Sequence, residues 1–145
     1  AGRAGRAALP GSAILQTHQP EAPVMTALAR GDRNAFLAAE AESRQHLGFP
    51  PFGRLAAIIL KSRDENVLRS TAEAHRRLAP SGEGVEVWGP APAPIYRLRG
   101  EARMRFLVKA RRSVDVQRYV RTWISDVRLP SAVRRVIDID PYSFL

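Results

Sequence analysis

The residues best suited to chemistry in this chain are arginines, and their spacing suits them to phosphate. Arg3 and Arg6 stand in a Gly-Arg-Ala-Gly-Arg run. Glycine there lets the backbone approach another surface closely, and two guanidinium forks three residues apart can clamp a phosphate. Taken alone, so short a run also arises by chance in a basic, Gly- and Ala-rich segment. Further along, Arg97, Arg99, Arg103, Arg105, Lys109, Arg111 and Arg112 place seven cations in one hairpin region. If residues 103–110 form a strand, Arg103, Arg105 and Lys109 share one face and Met104, Phe106 and Val108 the other. A cationic sheet face holds a phosphate backbone in a salt-dependent, sequence-tolerant way. The plainer alternative is a solvated face of a structural domain.

Other side chains point to structure. His18 and His46 are not expected to be catalytic, and the absence of cysteine leaves no disulfide framework and no thiolate metal site. Asp138 and Asp140 alternate as a metal pair could, but Asp140 precedes Pro141 and suits a turn, so no metal site is expected. Trp88 and Trp123 read as core residues. Phe106 falls on the apolar side of its strand, which leaves Tyr96, in the preceding loop, as the candidate for stacking on a base.

The 145 residues carry a net charge of +9, a field that attracts a polyanion and makes nucleic acid the default partner. All but two of the cations are Arg, a bias that genome base composition can also produce. No apolar run is long enough to cross a bilayer. The first fifteen residues lack both an initiator Met and the apolar centre of a signal peptide, so a chain that is not exported is expected.

The elements that must position these residues follow from hydrophobic period and from punctuation by Gly and Pro. Ala13, Ile14 and Leu15 suggest a short buried strand. Two helices follow, the first with Val24, Met25 and Leu28 on one face and a stop at Gly31, the second capped by Asp32 and carrying Phe36, Leu37 and Leu47. Pro50 and Pro51 break the pattern and divide the chain into regions 1–51 and 52–145. Beyond them the spacing predicts a strand over 54–62 and a helix over 64–79 with Val67, Leu68, Ala72, His75 and Leu78 inward. A strand over 85–88 and a Pro-rich loop over 89–94 come next. Then come a strand over 103–110, a helix over 114–127 and a strand over 133–139. The order β-α-β-β-α-β is that of a ferredoxin-like α/β (α+β) domain, with both helices on one face of an antiparallel sheet and the other face open.

AGRAGR, SAILQTHQPE, PPFGRLA, GPAPAPIYRLRGEARMRFLVKA and IDIDPYSFL, in that order, resemble the PriA family of replication-restart helicases over essentially the whole chain. The resemblance implies the carboxyl-terminal part of an ATP-dependent DNA helicase that moves 3′ to 5′, recognises stalled forks and initiates primosome assembly. Arg3 and Arg6 would be the catalytic arginines of helicase motif VI, and residues 1–51 the end of a RecA-like lobe. ATP and Mg, and a zinc module, would be held elsewhere in the longer protein, so this stretch alone should be inactive. Residues 52–145 would be the DNA-binding domain, with forked and single-stranded DNA as the implied partners. The family commonly carries an aromatic residue after the hairpin glycine, where this chain has Glu101 and Ala102, which weakens any contact carried over to those two positions. Gln117, with Arg118 and Arg121 beside it, falls where the family receives the acidic tail of the single-stranded-DNA-binding protein. Other primosome proteins are further implied partners, and the bacterial cytoplasm at the nucleoid is the implied location. A stand-alone, non-catalytic nucleic-acid-binding module is the alternative, and a purely structural docking domain a third.

Overall fold

Proline, glycine and aspartate set the ends of the first helices. The computed structural model describes residues 14–141, and the chain divides into two compact units, Ala1–Ala41 and Glu42–Leu145. Helix α1 (Pro23–Arg30) opens on a proline, whose missing N–H costs nothing in a first turn. It ends at Gly31, whose φ of 68° lets its N–H reach the carbonyls of Ala27 and Leu28. Helix α2 (Arg33–Leu47) starts on Asp32, whose Oδ1 accepts from the Ala35 N–H at 2.9 Å. Ile14 and Leu15 are exposed and in no strand, contrary to the expectation of a buried strand, because no strand among the described residues pairs with them. Ala13 lies outside the described residues.

The second unit contains strand β1 (Gly53–Ser62), helix α3 (Glu65–Arg77), strands β2 (Val85–Leu98) and β3 (Glu101–Arg111), helix α4 (Val116–Ser125) and strand β4 (Arg134–Ile139). Asp64 caps α3 by accepting from the N–H groups of Asn66 and Val67, and Asp115 caps α4 by accepting from that of Arg118. The four strands form one antiparallel sheet in the order β2-β3-β1-β4. The expected element order is therefore found.

Residues 89–94, expected as a loop, are part of β2, which bends through register shifts between Trp88 and Ala91 and between Pro92 and Arg97. Proline survives there because β2 is an edge strand, paired only with β3. Gly89 has a φ of 113°, and a Cβ at that position would lie 2.6 Å from the Arg105 carbonyl oxygen. The bend is thus built on a residue without a side chain.

The core lies between one face of the sheet and both α3 and α4. Ala56, Ile58 and Leu60 of β1 and Ala102, Phe106 and Val108 of β3 meet Leu68 and Ala72 of α3 and Val116, Val120 and Trp123 of α4. Phe106 and Trp123 pack edge to face with ring centroids 5.3 Å apart. Trp123 was correctly expected in the core, whereas Leu78, expected inward, is exposed just past the end of α3.

A buried polar knot ties the layers together. His75 Nδ1 lies 2.8 Å from the Thr71 carbonyl oxygen, and its Nε2 lies 3.2 Å from Arg135 Nη1. The guanidinium can only donate, so Nε2 accepts and Nδ1 carries the proton. The Trp123 indole N–H donates to the His75 carbonyl at 2.9 Å. Burial pushes the His75 pKa down, and the neighbouring Arg135 charge does so further, against an upward pull from the Thr71 carbonyl.

Two outcomes follow from this packing. Phe106→Ala should cost about 3–5 kcal/mol, measured by denaturant unfolding. For His75, the unfolded chain takes up a proton near the ordinary pKa of about 6.5 while the folded chain resists it. Stability is therefore fully present above that value and falls as the pH drops toward the lower folded pKa. A series of unfolding curves across this window should show that decline, and His75→Gln should flatten it.

Candidate nucleic-acid interface

The face of the sheet opposite the helices collects the outward residues of each strand. On β3 these are Glu101, Arg103, Arg105, Leu107 and Lys109, as the alternation predicts, while Ala102, Phe106, Val108 and Ala110 are buried beneath the helices. The pairing register adds what a single strand cannot show. Lys61 of β1 lies directly opposite Arg103 of β3 on one side and Arg134 of β4 on the other, so three cations stand in a row across three strands. Such neighbours have Cβ atoms roughly 4.5–5.5 Å apart, and like charges at that spacing repel.

Arg63 and Arg99 join the row at the same end of the sheet, lining with it a groove of about 490 Å³ whose apolar lining is Ile59, Leu98 and Val136. Arg99 sits in the β2–β3 turn with a φ of 53°, followed by Gly100 at 80°. Glu101 is the one carboxylate in the groove lining. Among the described residues, none of the five cations is in an ion pair. A bound polyanion would relieve the repulsion that the folded chain itself leaves in place.

The seven cations expected to act together are separated by the fold. Arg99 and Arg103 enter the groove, and Arg105 lies at the centre of the same face, in register with Ile59 and Ala91. Arg97 is opposite Ala102, on the helix-covered side, where its guanidinium pairs with Glu65. Tyr96, expected in a loop, is in β2 and donates its hydroxyl to Glu65 at 3.1 Å. Lys109 is bound to Glu86 at 3.1 Å and Arg111 lies 3.7 Å from Glu83. With Arg112 these two line a second groove of about 420 Å³ at the opposite end of β3.

Trp88, expected in the core, is not there. It pairs with Leu107, which puts it on the uncovered face, and it remains 43% exposed. Lys109 Nζ stands 5.6 Å from its ring centroid. The signal was present in the sequence, since Val85 and Val87 take the inward positions and Trp88 shares its parity with Glu86.

Asp140 is structural. Its Oδ2 accepts from Arg54 Nε at 2.8 Å and its Oδ1 from the Leu55 N–H at 3.0 Å, which fastens the chain after β4 to the start of β1. Asp138 lies opposite Ala57. On α4, Gln117, Arg118 and Arg121 are all exposed, at spacings that put them on one side of the helix. Arg3 and Arg6 lie outside the described residues.

Lys61, Arg63 and Arg134 escaped sequence reading. Lys61 stands near the end of a strand that is apolar on both faces, so no alternation marks its direction, and the adjacent Arg134 and Arg135 take opposite faces with nothing local to tell them apart.

The sequence profile of the primosomal protein N C-terminal domain matches residues 45–142. The replication restart protein PriA of Rickettsia felis is 36% identical over 143 residues, covering 99% of this chain and 22% of that protein. Its namesake in Treponema pallidum is 34% identical over 100% of this chain and 22% of its own length. The PriA of Haemophilus influenzae is 32% identical over 97% of this chain and 20% of its own. The chain thus spans about a fifth of the length of these relatives.

Proposed function

The chain belongs to the primosomal protein N C-terminal domain family, and from that premise we propose that it supplies a DNA-gripping, ferredoxin-like domain to a replication-restart helicase. The observation that carries this reading is the in-register row Arg103–Lys61–Arg134, without ion pairs among the described residues. A row of that kind suits a phosphate backbone, which brings charges at regular intervals and releases counterions on binding. Arg63 and Arg99 widen the grip at the same groove.

In this reading the longer protein is an ATP-dependent helicase that moves 3′ to 5′ on DNA, acts at stalled forks and initiates primosome assembly at the bacterial nucleoid. ATP with Mg, and zinc, belong to its other parts. Arg3 and Arg6 serve as motor arginines toward ATP held by another lobe, and α1 and α2 are the helical end of the RecA-like lobe that carries them. The exposed side of α4 with Gln117, Arg118 and Arg121 receives the acidic tail of the single-stranded-DNA-binding protein, where cations complement the tail's charge.

Fluorescence anisotropy of the whole chain with labelled DNA at several salt concentrations tests the grip. Affinity should fall linearly with the logarithm of salt. Lys61→Ala with Arg134→Ala should weaken binding for all sequences alike and reduce the single-strand slope by about 1.4, at about 0.7 per lost phosphate contact. Lys109→Ala, which removes a cation already paired with Glu86, should change the slope less. Binding that is absent at low ionic strength, or indifferent to the double substitution, overturns the proposal.

A further inference from the structure

The uncovered face presents an aromatic ring as well as cations, and the ring is fixed. Lys109 Nζ is held by Glu86 at 3.1 Å and stands 5.6 Å from the Trp88 ring centroid, so a lysine already tethered by a carboxylate steadies the indole. Trp88 is nevertheless 43% exposed, and a large aromatic left open on an edge strand gains nothing for the core. The cationic groove lies on the same face. Trp88 is paired with Leu107 and Lys61 with Arg103, four residues further back along β3. At about 3.4 Å per residue, the ring and the row are about 14 Å apart along the strand. Ala91 and Arg105, in register on this face, occupy the space between them.

We infer that Trp88 is a stacking platform for an unpaired base, and that the face therefore takes single-stranded nucleic acid, with the base on the indole and the neighbouring phosphates in the Lys61–Arg103–Arg134 groove. This rests on the DNA-gripping reading and adds to it the residue that receives an unpaired base. A flat ring beside a cation accepts any base, because every base offers a π-face, and selects neither sequence nor sugar. Duplex offers phosphates to the groove but keeps its bases stacked on one another, out of reach of an indole on a sheet surface.

The chain itself supplies the probe. Its two tryptophans differ completely in access, Trp123 being fully buried and Trp88 exposed. Titration of the whole chain with oligo-dT should quench the tryptophan emission, and a duplex of the same length should bind with little quenching. Trp88→Phe should abolish the quench, since only Trp123 then emits, while retaining most of the affinity. Trp88→Ala should weaken oligo-dT binding about 5- to 150-fold and leave duplex binding and the single-strand salt slope unchanged. A circular-dichroism melt of each variant confirms that it folds.

The failures are distinct. If the wild-type chain binds both nucleic acids with a salt slope, but without preferential quenching and without loss on Trp88→Ala, stacking is refuted and the phosphate grip stands. If no salt-dependent binding occurs to either, the grip itself is refuted and stacking falls with it.

Discussion

A slip of one residue between β3 and β1 would carry Arg103, Arg105 and Lys109 beneath the two helices and turn Phe106 and Val108 out to water. Each of those cations would then face an apolar layer without a partner, at a cost of several kcal/mol apiece. Register in this sheet is consequently fixed by the β3 sequence, and β1, apolar on both faces, accepts the alignment that β3 imposes. The same alignment brings Lys61 opposite Arg103 and Arg134. Burial of the core and concentration of charge on the other face are thus two results of one constraint.

Local patterns were the most legible. Asp32, read as a cap, is found capping, and Asp64 and Asp115, which fell inside the expected helices 64–79 and 114–127, cap them one residue before their observed starts. The alternation of β3 and the inward stripe of α4 likewise depend on near neighbours alone. What could not be read depends on pairing across the sheet. Seven cations clustered in sequence are distributed over a turn, both faces of the sheet and both ends of β3, because Arg97 takes the inward parity of β2 opposite Ala102 and the acids Glu65, Glu83 and Glu86 neutralise Arg97, Arg111 and Lys109. The groove instead recruits Lys61 of β1, Arg63 just after it and Arg134 of β4, all distant in sequence from the hairpin. Prolines at 90, 92 and 94 resemble a loop until one knows that the strand has a free edge.

The two ends of the uncovered face are built on opposite electrostatic terms. At the Trp88 end the lysine has a carboxylate and a ring to hold it, so its position is set before any ligand arrives. At the Arg103 end the cations have no such partners among the described residues, and the fold tolerates their repulsion because its stability is generated on the other side of the sheet. Self-repulsion of exposed charges in water is small, since at about 4 Å a pair costs about 1 kcal/mol at the dielectric of bulk solvent, and less as salt screens it. A core containing Phe106, Trp123, Ile58 and Leu60, each worth roughly 1.5–3 kcal/mol by burial, carries that load readily. A sheet buried on both faces could not hold such a row, so the placement of both helices on one side is what makes the cationic face affordable.

The Pro-rich stretch of β2 acquires a purpose from this division. A straight β2 would keep a single parity along its whole length, and Trp88 and Arg97, nine residues apart, would necessarily lie on opposite faces only while no residue was inserted or skipped between them. The observed strand contains two register shifts across that interval, at Trp88/Ala91 and Pro92/Arg97, yet the two residues still end on opposite faces, Trp88 outward and Arg97 toward α3. What the shifts change is the path in between. Gly89 lies so close to the Arg105 carbonyl that no side chain fits, and Ala91 and Pro92 then pair with Arg105 and Met104 before the strand swings out to deliver Tyr96 and Arg97 to Glu65 at the start of α3. The edge strand is thereby anchored to the helical layer at its far end, with the small Ala91 beside Arg105 at its middle.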